Sequence, residues 1–132
     1  KSLDEGALVS SLRSQISSLN AGLDRTEIEF FCYDFPERIE EEWIYDIYLI
    51  SLELISNALK HGRAGLITVE FYKYERNYHF QYTDDGLGFD LSKVAKGFGL
   101  GNVEKRISSY RGDVEVSSIV GQGTIVQIDI PF

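Results

Sequence analysis

The 132-residue sequence predicts an α+β protein built as a two-layer α/β sandwich. Apolar residues recur at helical spacing in three segments, and five runs rich in β-branched and aromatic residues read as strands. The last four strands come in two pairs with short connections, which favours antiparallel hairpins. The predicted order is helix, strand, helix, two strands, helix, two strands, so helices and hairpins are segregated.

Three segments have the pattern of helices. Residues 4–20 place leucines and isoleucine at helical spacing between Ser, Arg and Gln, which predicts an amphipathic helix. Residues 41–61 are apolar on nearly every side, which predicts a buried helix, and Gly62 is the predicted stop. A third helix is predicted over residues 100–110.

The strand predictions follow from composition and from breakers. Residues 26–35, "TEIEFFCYDF", predict a strand that Pro36 ends. The other predicted strands are 65–75 and 77–84, turning near Arg76 and Asn77, and 113–119 and 124–130, joined by "VGQG".

Charge and composition exclude several classes of partner. The net charge of −8 argues against a nucleic-acid groove and against an anionic membrane surface. The sequence has a single cysteine, Cys32, which excludes an intrachain disulfide and fits a reducing, hence cytoplasmic, compartment. Its place in an apolar strand predicts a core residue. No apolar run of about 18 residues and no signal peptide are recognisable. The chain begins with Lys, which indicates a piece of a longer protein.

The second helix carries polar residues that a buried helix usually avoids. Glu53 and Asn57 lie four residues apart and therefore on one helix face, with Lys60 and His61 following. A carboxylate and an amide oxygen so placed can hold a hydrated Mg²⁺ or orient a water. The alternative is a surface-facing polar stripe at the helix end.

Glycine-rich clusters follow the strands. "DDGLG" begins with Asp84, whose carboxylate can accept from an exocyclic amine, while Gly86 and Gly88 let a flat ligand approach; an ordinary Asp-Gly turn is the alternative. "KGFGLGN" leads into a helix whose exposed N–H groups attract phosphate, or it is simply a flexible loop. "GQGT", 121–124, is adequately explained as a two-residue hairpin turn.

Taken in order, E-x-x-x-N, D-x-G-x-G, G-x-G-x-G and G-x-G-T resemble the ATP-binding domain of the GHKL superfamily from about residue 40 to 132. This superfamily includes sensor histidine kinases, type II topoisomerases, mismatch-repair ATPases and a heat-shock chaperone. "NALKHG" resembles the N box of histidine kinases, and "GFGLGNVEKRI" resembles their glycine-rich box. The resemblance implies the Bergerat ATP-binding fold, a mixed sheet of about five strands under three helices.

The resemblance also implies a role for each motif residue. Glu53 would orient water, contact the metal indirectly and be the candidate base, and Asn57 would ligate Mg²⁺. Asp84 would accept the adenine amino group, and Thr124 would support Asp84 through a water or hydroxyl contact. The remaining implied ATP-binding residues are Lys60 and His61 near the phosphates, Gly86 and Gly88 beside the base, and Gly97, Gly99, Leu100 and Gly101 around the phosphates.

The lid between the second and third clusters is short, about eight residues from Phe89 to Lys96, as in kinases related to nitrate sensors. Neither His61 nor His79 suits a phosphoacceptor. We therefore expect a catalytic domain over residues 23–132, which transfers the γ-phosphate of ATP to a histidine on a separate upstream domain. The helix in residues 1–22 is compatible with the tail of that dimerisation helix.

The implied partners are ATP or ADP, a histidine-bearing dimerisation domain of the same protein and a response regulator. The resemblance implies a homodimeric full-length protein and leaves membrane anchoring of that protein open. An alternative class is a non-catalytic nucleotide-binding or interaction module, or an anti-sigma-type serine kinase. Intact Glu53 and Asn57 weigh against a non-catalytic module.

Overall fold

A computed structural model describes residues 5–33, 43–88 and 100–131. Five strands form one mixed sheet in the order β1-β2-β3-β5-β4, with β1 parallel to β2 and the other neighbours antiparallel. The strands are β1 (Glu27–Tyr33), β2 (Leu66–Tyr74), β3 (Asn77–Asp84), β4 (Asp113–Ile119) and β5 (Gly123–Pro131). The helices are α1 (Glu5–Ala21), α2 (Trp43–Asn57) and α3 (Leu100–Ser109), and α2 continues into a π-helical turn, Ala58–Gly62.

The core lies between the helices and one face of the sheet. Alternate residues of β2, β3 and β5 point to this face, as the period of two in a strand requires. They meet buried side chains from all three helices. The members of this core include Leu12 and Ile16 of α1, Ile47 and Leu54 of α2, Ile107 of α3, and Val69, Phe80, Tyr82 and Val126 of the sheet. The predicted α+β sandwich of a five-stranded mixed sheet and three helices is confirmed.

Helix α1 is fixed to the sheet by one amide side chain as well as by its apolar stripe. Asn20 accepts a hydrogen bond from the backbone N–H of Ile28 at 2.9 Å and donates to the Ile28 carbonyl at 2.8 Å. Leu12 and Ile16 are buried in the common core. Helix α1 therefore packs as one of the three helices of the sandwich, and its continuation into an upstream dimerisation helix stays a prediction.

Both hairpin turns differ from the predicted positions. Residues Glu75 and Arg76 form the β2–β3 turn, with Glu75 at a left-handed φ of 56°, so Asn77 belongs to the strand. The β4–β5 connection has three residues, 120–122, rather than two, because Gly123 pairs with Ile119 inside the ladder. That position suits glycine since its φ is 112° and the β3 backbone passes close by.

The remaining boundaries agree closely, except where a predicted end lies outside the described residues. These ends are residues 34–36, after β1, and 41–42, before α2. The predicted end of the second helix is correct, although its last turn is π-helical and the left-handed residue that follows is Arg63. In the described ranges, no helix combines the length and apolar character needed to cross a membrane.

Candidate functional site

The carboxylate of Asp84 ends β3 in a buried position, with 8% of the residue exposed. Its Oδ1 accepts a hydrogen bond from the backbone N–H of Gly86 at 2.9 Å, and its Oδ2 accepts one from the hydroxyl of Tyr82 at 2.6 Å. Burying a carboxylate without such donors would be costly. Because each carboxylate oxygen has two lone-pair positions, both oxygens can still accept from a ligand.

Tyr82 connects this strand end to helix α2. Its hydroxyl oxygen lies 3.4 Å from the carbonyl oxygen of Leu54, which is the neighbour of Glu53 in the sequence. Glu53 is exposed, and Asn57, one helical turn further on, is half-buried. The fold therefore places the D-x-G-x-G strand end beside the helix that carries E-x-x-x-N.

A π-helical turn begins directly after Asn57. Such turns are rare and often occur at functional sites, because the change in hydrogen-bond spacing alters the direction of the following side chains. Lys60 lies exposed within this turn. The backbone of His61 belongs to the same turn, whereas its side chain is outside the described residues.

Two glycines are required by close backbone contacts. A Cβ added to Gly88, whose φ is 64°, would lie 2.2 Å from the carbonyl oxygen of Ile119. A Cβ added to Gly123 would lie 2.1 Å from the carbonyl oxygen of Asp84. Gly88 thus allows the loop to pack on the β4–β5 hairpin, a reason that differs from the predicted room for a flat base. Gly86 is buried and contributes a backbone donor to Asp84.

Asp85, between the two motif positions, was missed by the sequence analysis. Its Oδ1 accepts from the backbone N–H groups of Gly65 at 2.7 Å and Leu66 at 2.9 Å. These donors, with Leu66 the stronger influence, lower the pKa of Asp85 below its usual value. Asp85 therefore ties the D-x-G-x-G loop to the start of β2, just beyond the π-helical turn.

Tyr82 was also missed, since it reads as an ordinary core residue of a strand. Burial raises the pKa of its hydroxyl, as does the hydrogen bond to Asp84. The hydroxyl therefore remains protonated and donates. Only the period of two in β3, which puts positions 82 and 84 on one face, could have indicated the contact from the sequence.

Thr124 is the direct cross-strand neighbour of Asp84 in the β3–β5 ladder, and it is buried. Its hydroxyl lies 2.9 Å from the hydroxyl of Ser118. Support of Asp84 by Thr124, through a water or a hydroxyl contact, stays a prediction.

The third cluster is only partly described. Leu100 and Gly101 lie in the first turn of α3, where only the backbone is described. Gly97, Gly99 and the lid, 89–96, are outside the described residues. Helix α3 is anchored to α2 through Asp46, which is buried. The Asp46 carboxylate accepts from the Tyr110 hydroxyl at 2.9 Å and forms an ion pair with Arg106 at 3.1 Å.

The side chains on α2 fit a magnesium ion bound together with a phosphate. Mg²⁺ prefers oxygen ligands and keeps several waters, so it needs only one or two protein side chains. The amide oxygen of Asn57 and the carboxylate of Glu53 are such donors on one helix face. Across the described ranges, no three His, Cys, Asp or Glu side chains form a metal-binding group.

The arrangement of a buried strand-end carboxylate, an apolar helix with Glu53 and Asn57 near its end, and a helix preceded by glycines is typical of a class of nucleotide-binding domain. Residues 44–132 match the family described as histidine kinase-, DNA gyrase B-, and HSP90-like ATPase. The chain therefore belongs to this family.

Three curated relatives are named as histidine kinases. The signal transduction histidine-protein kinase/phosphatase DegS of Bacillus subtilis is 29% identical over 136 residues, which cover 98% of this chain and 35% of the relative. The oxygen sensor histidine kinase NreB of Staphylococcus carnosus is 28% identical, covering 99% of this chain and 38% of the relative. The sensor histidine kinase LiaS of Bacillus subtilis is 30% identical, covering 65% of this chain and 24% of the relative. The chain thus spans well under half the length of these relatives.

Solved structures show the same fold. The histidine kinase domain of a blue-light activated histidine kinase from Erythrobacter litoralis superposes with a TM-score of 0.77 at 21% identity, covering 99% of this chain and 64% of that one. The histidine kinase AdeS of Acinetobacter baumannii gives a TM-score of 0.72 at 19% identity, covering 98% of this chain and 65% of that one. At these identities the likeness concerns the fold alone.

Proposed function

We propose that this chain is the ATP-binding catalytic domain of a two-component sensor histidine kinase. In this role it transfers the γ-phosphoryl group of ATP to a histidine on a separate domain of the same protein. The observation that carries the proposal is the buried Asp84 carboxylate, which Tyr82 and Gly86 hold beside helix α2, the helix that carries Glu53 and Asn57. The sensor-kinase names of the relatives support it.

Each residue would act on a different part of the nucleotide. Asp84 accepts a hydrogen bond from the amino group of adenine, with Gly86 and Gly88 shaping the loop beside the base. Asn57 holds Mg²⁺, which neutralises phosphate charge when bound, and Glu53 orients a water or accepts a proton. Lys60 and His61 approach the phosphates. The glycine-rich cluster, Gly97, Gly99, Leu100 and Gly101, surrounds the phosphates at the start of α3.

Phosphoryl transfer asks little covalent chemistry of the protein, so catalysis rests on positioning and on electrostatic stabilisation. The acceptor must come within about 3–3.5 Å of the phosphorus and in line with the leaving group. A histidine on a mobile helical domain meets that requirement by docking. We therefore assign the acceptor to a dimerisation domain, the active form to a homodimer, and the subsequent phosphate acceptor to a response regulator.

The adenine contact is tested by Asp84→Asn. A hydrogen bond to a charged acceptor contributes roughly 1.5–3 kcal/mol, so the substitution should weaken ATP binding by about tenfold or more. Titration calorimetry with ATP and GTP, each with Mg²⁺, measures the affinity and its selectivity. The wild-type domain should prefer ATP, and equal affinities for the two nucleotides would refute the assignment of Asp84.

A further inference from the structure

Tyr82 lies behind the nucleotide motifs and belongs to none of them. It is 1% exposed and stands between Val69 and Val126 in the sheet, so its ring is part of the core. Its hydroxyl reaches out of that core toward two oxygens, Oδ2 of Asp84 at 2.6 Å and the carbonyl oxygen of Leu54 at 3.4 Å. A phenylalanine would fill the same space without either contact.

The Tyr82 hydroxyl has a single proton, and it donates this proton in the hydrogen bond to Asp84. A separation of 2.6 Å is in the range of a charge-assisted O–H···O⁻ bond, whereas 3.4 Å exceeds the usual range for a hydroxyl donor. Burial and the neighbouring carboxylate raise the pKa of Tyr82, so the proton stays on the phenol oxygen at neutral pH.

The second donor, the Gly86 N–H, binds the other oxygen of the same carboxylate. Among the described residues each oxygen of Asp84 has one donor, which fixes the plane of the carboxylate and the directions of its remaining lone pairs. Removal of the Tyr82 hydroxyl would leave Oδ2 buried with one donor fewer and the carboxylate free to turn.

We propose that Tyr82 is a positioning residue that sets the selectivity for adenine by orienting the Asp84 carboxylate. This inference rests on the proposed function, because it assumes that Asp84 receives the adenine amino group. Tyr82 touches no substrate atom itself. Its effect should therefore appear in the discrimination between a base with an amino group and one with a carbonyl at the same position.

The test compares ADP with inosine diphosphate, which replaces that amino group by a carbonyl oxygen. Calorimetric titrations with Mg²⁺ use the wild type, Tyr82→Phe, Asp84→Asn and the double variant. Tyr82→Phe should weaken ADP binding by about fivefold to tenfold and change inosine diphosphate binding by less than about twofold. In the Asp84→Asn background it should change neither, because residues that act as one unit are not additive.

Tyr110→Phe is the matched control. It also removes a hydroxyl that donates to a carboxylate, that of Asp46, but in the contact between α2 and α3. This variant should keep the wild-type ratio of the two affinities even if the free energy of unfolding decreases. Circular dichroism establishes that each variant is folded.

If Tyr82→Phe lowered the affinities for both nucleotides equally, or left the ADP affinity unchanged, the inference would be overturned and the proposed function would stay intact. A normal ADP affinity in Asp84→Asn would overturn the proposed function itself. If Tyr82→Phe fails to fold, 3-fluorotyrosine incorporated at position 82 keeps the hydroxyl. Its ¹⁹F resonance should then shift more on addition of ADP than of inosine diphosphate, and the absence of any shift with ADP would overturn the inference.

Discussion

At the end of β3, the Asp84 carboxylate accepts hydrogen bonds from Gly86 and Tyr82 and keeps further lone pairs for a ligand. Both donors come from within two residues of Asp84. Residues 82–86 therefore set the orientation of the carboxylate by themselves. The contact of Tyr82 with Leu54 places this segment beside α2. In the proposed function, the base meets a preformed acceptor, which reduces the entropy lost on binding.

Asn57→Ala tests the proposed magnesium contact. Asn57 is half-buried at the end of α2, so the change should leave the fold intact. The affinity for ATP should lose most of its dependence on Mg²⁺, because one of the few protein ligands is removed. Calorimetric titrations of ATP with and without Mg²⁺ measure this dependence.

The neighbouring Ser56→Ala, also at a half-buried position, is the control and should keep the wild-type response to Mg²⁺. An unchanged response in a folded Asn57→Ala protein would favour the polar stripe that the sequence also allowed.

Residues at motif spacings could be predicted, whereas Asp85, which has remote partners, and Tyr82, which has the appearance of an ordinary core residue, could not. Glu53, Asn57 and Asp84 stand at motif positions that the sequence displays directly. Asp85 acts on the backbone of Gly65 and Leu66, about twenty residues away, and only the register of β2 with β3 reveals that contact. The close approach of Gly88 to Ile119 is likewise invisible in the sequence, since Ile119 comes from a distant hairpin.

Among the elements, the D-x-G-x-G loop is held from two sides. Asp85 binds it to β2, and Gly123 allows β5 to approach the backbone of Asp84. The β4–β5 turn closes on the same loop, where the Gly121 N–H donates to the Leu87 carbonyl at 2.6 Å. The position of the candidate base contact is therefore set by strand ends rather than by a helix.

Gly123→Ala should both destabilise the domain and weaken nucleotide binding. The new Cβ would lie 2.1 Å from the Asp84 carbonyl oxygen, so the strand end must move. We expect a loss of more than about 1 kcal/mol in the free energy of unfolding, together with a weaker ADP affinity. Urea titration and calorimetry measure the two effects.

Gly121→Ala is the matched control, because Gly121 also has a positive φ, 85°, but among the described residues no atom beyond its chain neighbours lies within 4 Å of the added Cβ. Its free energy of unfolding should decrease only by the cost of placing alanine in this backbone conformation. If the two variants bound ADP equally well, the close contact with Asp84 would have no part in binding.

The link between Asp85 and β2 predicts a pH dependence. The folded-state pKa of Asp85 is lowered, so its stabilising contribution is present above about pH 4 and is lost as the pH falls through the folded-state pKa. Asp85→Asn should therefore reduce the free energy of unfolding at pH 7, by less than about 1 kcal/mol for so exposed a group. The difference from the wild type should shrink at acidic pH.

Urea titrations at a series of pH values measure this difference. Glu115→Gln, which changes an exposed carboxylate on β4, should stay within about 0.5 kcal/mol of the wild type throughout. A difference for Asp85→Asn that stayed constant down to acidic pH would contradict the assigned direction of the pKa.

Across the whole molecule, the helices and the candidate site share one face of the sheet. Long periodic segments and the paired strands made this architecture predictable, whereas the turn positions depended on backbone contacts that the sequence does not display. His79 lies on the opposite face from Asp84, since their positions in β3 differ by five, an odd number. Its Nδ1 lies 2.6 Å from Asp129 Oδ1, and the residue is 9% exposed. His79 is therefore poorly placed to meet a nucleotide.

The measurement that tests the central claim most directly is phosphorylation with and without the missing acceptor. The chain is incubated with ATP labelled at the γ-phosphate, alone and with a histidine-bearing dimerisation domain supplied in cis or in trans. We predict acid-labile, base-stable label on that domain and none on His61 or His79 of the isolated chain. Stoichiometric phosphohistidine on the isolated chain would contradict the account, as would an unlabelled acceptor domain in the presence of folded, ATP-bound protein.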